Sequence, residues 1–189
     1  MATRVEPPPT EPPGGGKPEP TPLDVVKEYL RVTDNAEDSK IAAMIPRARL
    51  WVEEHTGLAI VQREFVELHS PRNGAVRLYR GPLVAVGGVA YSDSEGAAQA
   101  FEPTASPPST KLTGDWPSTD GTPFEVTYTA GLLVVPPEGE EPDYSVVDPR
   151  LTGAMLALIE GEYTAGFAYP DDAITSATNC LFYMKFVAP

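Results

Sequence analysis

The chain has 189 residues, 41% of them hydrophobic, which suffices for one compact domain with a real core, while 22 prolines and 16 glycines exclude a plain helical bundle. A formal net charge of −13, with only 14 basic residues, argues against a protein that grips nucleic acid by its phosphates, but not against one that lets nucleic acid pass. The single cysteine, Cys180, excludes an internal disulfide framework, and nothing near it has zinc-ligand spacing.

The first segment, MATRVEPPPTEPPGGGKPEPT (residues 1–21), has a proline triplet, a glycine triplet and almost no large apolar side chain. It reads as a disordered or polyproline-like tail, with a docking strap for a partner as the alternative. A first helix is predicted from Pro22, with Thr21 as N-cap, Asp24 in the capping-box position and Leu23, Val26 and Leu30 on one stripe. A second runs through DNAEDSKIAAMIPRARLWVEEHTG, from an Asp34 cap to a left-handed stop at Gly57. Its apolar face is Ile41, Met44, Ile45, Ala48, Trp51 and Val52, and Pro46 is expected to kink it.

From Leu58 to Gly131 the period changes from helix to strand. AIVQREFVEL and AVRLYRGPL flank HSPRNG, which predicts a hairpin turning at Asn73-Gly74, and VGGVAYSDSEGAAQAF predicts a second, turning at DSEG. In FEVTYTAG, Phe124, Val126 and Tyr128 face one way and Glu125, Thr127 and Thr129 the other. Residues 102–123 form a long irregular loop, the kind of segment that often carries function. Asp148-Pro149 then starts a third helix through about Ala165, in which Gly153 and Gly161 signal close backbone packing.

The expected fold is therefore α+β. A domain over 22–166 combines a small helical core of three main helices (22–57 and 148–166) with an inserted antiparallel β block (58–131). A tail (1–21) precedes it and an extended C-terminal arm (167–189) follows. The arm ends LFYMKFVAP, unusually apolar for a chain end. Burying Leu181, Phe182, Phe186 and Val187 would contribute about 1.5–3 kcal/mol each, yet ordering the backbone costs about 1–2 kcal/mol per residue, so the arm is near balance alone. Leu181, Phe182, Tyr183, Met184, Phe186 and Val187 are accordingly expected to order on a groove of another subunit, with a C-terminal strand or helix packed on its own domain as the alternative.

No catalytic constellation emerges. His55 falls in the last turn of the second helix and His69 beside a predicted turn, where structural or solvent-facing roles suffice. The pairs Glu53-Glu54, Glu140-Glu141 and Asp171-Asp172 do not share a face or an element in the way an acid–base dyad requires. SDSEG lacks the ligand run of a calcium loop, Gly14–Gly16 lacks the lysine of a phosphate loop, and Cys180 has only Lys185 nearby to lower its pKa. No cofactor and no metal are expected. No run reaches the roughly 20 apolar residues of a membrane span and no signal-peptide core is present, so a protein that is cytosolic where it is made is expected.

The leading helix with K-x-x-L-R, the E-x-x-T-G stop at Glu54, Thr56 and Gly57, the R-G-P before a strand, and V-T-Y-T-A-G occur together in order. In this arrangement the chain resembles the head-tail connector (adaptor) proteins of tailed bacteriophages, in the family with a strand block between the second and third helices. The resemblance runs from about Pro22 to about Tyr163. It implies a non-enzymatic structural protein of the virion neck: a ring of twelve copies under the portal, above a stopper or tail-completion protein, with DNA passing through the lumen. An acidic lining would let a duplex carrying one charge per about 1.7 Å slide without sticking. The sequence departs from the family pattern in the EGEYTAGF end of its third helix and in its proline-rich leader. The competing reading is a surface module that holds a sugar or protein ligand with its β block and the 102–123 loop.

Overall fold

A computed structural model describes residues 18–70, 74–119, 121–137, 140–166 and 169–181. They divide into two compact units, a β unit over Gln62–Gly131 and a helical unit formed by the described residues on either side of it.

The helical unit contains α1 (Leu23–Leu30), α2 (Asp38–Thr56), α3 (Pro149–Ala165) and α4 (Asp171–Leu181). The predicted stripes are its core: Val26, Ile41, Met44, Ile45, Ala48 and Val52 pack with Leu151, Met155, Leu158 and Ile159. Asp148 caps α3 by accepting from Arg150 N at 2.9 Å, with Pro149 in the first turn. The glycine stops also form, Gly57 at φ 77° after α2 and Gly166 at φ 75° after α3.

Two local expectations are corrected. Thr21 does not cap α1: Pro22 stands at the cap, and the buried Thr21 hydroxyl lies 3.9 Å from Met155 Sδ instead. Asp34 closes a turn by accepting from Ala36 N at 2.9 Å, and α2 begins only at Asp38. Pro46 lies inside α2, which runs from Asp38 to Thr56.

A fourth helix stands where an extended arm was expected. α4 places Ala173, Ala177 and Leu181 on one face at i, i+4 and i+8, all buried. Gly161 makes that packing possible, because a Cβ there would meet Ala173 Cβ at 2.3 Å and Pro170 at 3.2 Å. At Gly153 an added Cβ would find only Cys180 Sγ, at 3.7 Å.

The β unit contains β1 (Arg63–His69), β2 (Ala75–Arg77), β3 (Leu83–Ser92), β4 (Ala98–Phe101), β5 (Thr104–Ala105), β6 (Lys111–Thr113) and β7 (Phe124–Ala130). Four strands form an antiparallel sheet in the order β1-β7-β3-β4, and three shorter ones form a second sheet in the order β2-β6-β5. The second predicted hairpin is present: Asp93 Oδ1 accepts from Glu95 N and Ala97 N, turning β3 into β4. The first is not, since β1 pairs with β7 while β2 pairs with β6. The reason lies in β7, whose alternating apolar face gives β1 a full seven-residue partner, Arg63↔Ala130 through His69↔Phe124. The predicted turn residue Asn73 lies outside the described residues. The 102–123 loop is also less irregular than expected, because it contains β5 and β6.

Candidate functional site

Strand alternation puts Phe65, Glu67 and His69 of β1 on the same face as Phe124, Val126 and Tyr128 of β7, and all six are buried. Glu67 is only 3% exposed and meets donors on every side. The Tyr128 hydroxyl donates to Oε1, His69 Nε2 lies 2.7 Å from Oε2, and Tyr79 N donates to both oxygens at 3.2–3.3 Å. Tyr128 in turn accepts from Arg80 N at 3.2 Å. Burial, reinforced by the neighbouring Glu67 carboxylate, pushes the Tyr128 phenol far above its ordinary value, so it remains a donor. This arrangement clamps β1, β7 and the 79–80 segment around one carboxylate. It leaves no exposed nucleophile or base. Sequence reasoning missed it, although the same alternation applied to β1 puts Glu67 and His69 on the face of Phe65.

The helical unit has its own enclosed carboxylate. Glu53, fully buried in α2, accepts from Ile60 N at 2.8 Å and pairs with Arg49 at 3.3 Å. Arg49 also reaches Glu19, with contacts of 2.8 and 3.3 Å to its two oxygens. Burial would lower the Arg49 pKa, but the Glu19 hydrogen bond and the Glu53 charge outweigh it and the net shift is upward. Glu19, with Pro20 and Thr21 buried beside it, therefore ties the last residues of the leader onto α2. The rest of the leader, residues 1–17, where a strap for a partner was the alternative, lies outside the described residues. On α3, Glu162 pairs with Arg47 at 2.6 Å.

At one end of the β unit, an open cleft of about 530 Å³ is lined by Ser70, Gly74, Asp115, Trp116, Thr119 and Phe124, among others. Two aromatic rings line it, Trp116 and Phe124, packed at 5.0 Å between centroids, and Trp116 also packs on Phe101 at 4.9 Å. Here the 102–123 loop and the end of β1 come together.

Of the six residues expected to meet a partner, Leu181 lies in the core of its own helical unit, 2% exposed. Phe182, Tyr183, Met184, Phe186 and Val187 lie outside the described residues. His55 is exposed and stacks on Trp51 at 4.9 Å, while His69 is buried in the clamp. Among the described residues, no three His, Cys, Asp or Glu side chains are grouped to hold a metal ion, and no helix is long and apolar enough to cross a membrane.

No family model matches the sequence, and no curated protein matches it. The fold, in contrast, matches solved structures over nearly its whole length. A chain in the neck of an empty gene transfer agent particle, determined with C6 symmetry, aligns with a TM-score of 0.69 at 17% identity, covering 99% of this chain and 96% of that one. The chain has the fold of a particle-neck protein. A second match, in the neck of a native particle determined with C12 symmetry, has a TM-score of 0.67 at 16% identity, with coverage of 99% and 96%. A third, in the virion of a native gene transfer agent particle, has a TM-score of 0.63 at 19% identity, with coverage of 95% and 94%. The helices and the strand block are thus both part of the shared fold, which is α+β as expected from sequence.

Proposed function

We propose that the protein is a structural adaptor in the neck of a phage-type virion. Twelve copies form a ring between the portal and a stopper or tail-completion protein, and DNA passes through its lumen. One observation carries this reading: the end-to-end likeness to neck chains, including one from a particle neck with C12 symmetry. A charge of −13 suits a channel that duplex DNA crosses without specific binding. The role needs no catalysis and no cofactor. Phe182, Tyr183, Met184, Phe186 and Val187 follow α4 directly and form the segment that meets the portal or an adjacent adaptor. Leu181 has no part in that contact, because it anchors α4 to its own core.

Co-expression with the portal of the same particle tests the reading. Light scattering after size exclusion should find a stoichiometric complex, and images of it should show a ring; absence of any complex across salt conditions would sink the adaptor role. In the second reading the cleft at Trp116 holds a sugar or protein ligand, a possibility that rests on its aromatic lining. A monomer that binds a glycan or peptide panel, and ignores the portal, would favour that alternative.

A further inference from the structure

The larger sheet has two edges, β1 and β4. Among the described residues, no further strand pairs with the outer side of either one. The hairpin identifies the outward groups on β4. Asp93 N donates to Ala97 O at 2.9 Å, which makes this a bonded pair of the ladder. Alternation then makes Tyr91/Gln99 and Val89/Phe101 bonded pairs and turns the N–H and C=O of Ala98 and Ala100 away from β3. Sheet edges are ordinarily guarded by lysine, proline, a bulge or an inward charge. The sequence of β4, AQAF, carries no charge and no proline, and its register against β3 has no shift; the irregularities of β3 lie on its other side, against β7.

We propose that β4 of one copy pairs with β1 of the next, joining the sheets of neighbouring subunits into one continuous antiparallel sheet around the ring. This rests on the ring reading above. The choice of occupant follows from the strand count. Because neighbours alternate in direction, β1 and β3 run one way while β7 and β4 run the other. A copy carried around an axis along the strands keeps its orientation and presents β1 antiparallel to β4. Three or five strands would give a parallel junction, which is slightly less stable per residue. Pairing β4 with β4 would require a twofold axis, close at a dimer and leave β1 unused.

The two edges also fit in length and in side chains. β1 offers seven residues to the four of β4. On the sheet face opposite Glu67, Ala98 and Ala100 would lie beside Glu64, Val66 and Leu68, so no like charges meet across the seam. Few backbone bonds form at each seam, and closure of the ring makes them collectively firm.

The test uses the full chain, with Cys180→Ser, co-expressed with the portal. Ala100→Cys combined in turn with Glu64→Cys, Val66→Cys or Leu68→Cys should give, in one register, a ladder of disulfide-linked multimers on a non-reducing gel. Each single cysteine should run as a monomer. Ala100→Pro removes only an outward N–H, so the isolated protein should keep its melting temperature while ring recovery falls by about tenfold or more. Wild-type ring recovery from a folded Ala100→Pro chain overturns the proposal, as does assembled ring without cross-links in all three double variants. Dimers from Ala100→Cys alone overturn it in favour of a twofold contact. If Ala100→Pro does not fold, the cross-links decide. A wild-type chain that never forms rings refutes the ring reading, and this inference with it.

Discussion

The Tyr128 hydroxyl of β7 donates to the Glu67 carboxylate of β1 across the buried face of the sheet. Tyr128→Phe keeps the ring that stacks on Phe65 at 5.5 Å and removes the hydroxyl that donates to Glu67 and accepts from Arg80 N. It leaves Glu67 Oε1 short of a partner in a site closed to water, and unfolding in urea should register a loss of about 1–3 kcal/mol. A change within about 0.3 kcal/mol would mean that Tyr79 and His69 satisfy the carboxylate unaided.

Arg49 holds a fully buried acid, so its removal should cost far more than the loss of its outer partner. Arg49→Met removes the Arg49 guanidinium from beside the buried Glu53 and should destabilise by about 3–5 kcal/mol. Glu19→Gln acts on a partly exposed pair and should cost about 0.2–1 kcal/mol. Equal losses in denaturant titrations would contradict the ranking of the two contacts.

The two glycines of α3 should respond in opposite directions to alanine. Gly161→Ala forces its Cβ against Ala173 and should lower stability by about 1–3 kcal/mol. Gly153→Ala meets nothing closer than 3.7 Å and should raise it by about 0.4–1 kcal/mol through helix propensity and a less flexible unfolded chain. Thermal melts of both variants beside wild type are sufficient.

Asp148 has a pKa of about 2, held down by its hydrogen bonds with the Arg150 side chain and backbone. A carboxylate depressed in the folded state stabilises it fully above the unfolded value, and the contribution fades as pH falls from about 4 towards about 2. Between those limits the melting temperature of wild type should fall more steeply with pH than that of Asp148→Ser, which keeps a cap without the charge. Parallel curves would show that the Asp148 charge contributes nothing.

Truncations on either side of Leu181 should separate core from arm. Removing residues 182–189 should leave the melting temperature nearly unchanged and abolish portal binding. Removing residues 178–189 also takes away Leu181, whose burial is worth about 1.5–3 kcal/mol, and should loosen α4 and lower the melting temperature. Portal binding that survives the shorter deletion would eliminate the arm.

Much of this architecture was legible in the sequence because its signals were local and periodic. The stripe from Ile41 to Val52, the Asp148-Pro149 start and the alternation of Phe124, Val126 and Tyr128 each needed only a few neighbouring residues. α4 was missed because DDAITSATNCL mixes acids, hydroxyls and β-branched residues that weaken any helix signal. Its 4-residue spacing of Ala173, Ala177 and Leu181 acquires meaning only beside Gly161, which is distant in the chain. The pairing of β1 with β7 likewise depends on residues some 60 positions apart, whereas the HSPRNG turn pointed to a nearer partner. The Glu67 clamp was hidden by the general rule that acids face water.

The chain leaves the helical unit at Val61 and returns at Leu132, and the two connections lie side by side. Val61 bridges Leu133, and Leu132 N bonds the carbonyls of both Ala59 and Ile60. With its take-off and landing points pinned together, the stretch between them behaves as a cassette: its length and contents can change while the flanking helices see the same two anchored ends. The 70 residues from Gln62 to Gly131 could thus be exchanged for another block, or shortened to a turn, at little entropic cost to the remainder.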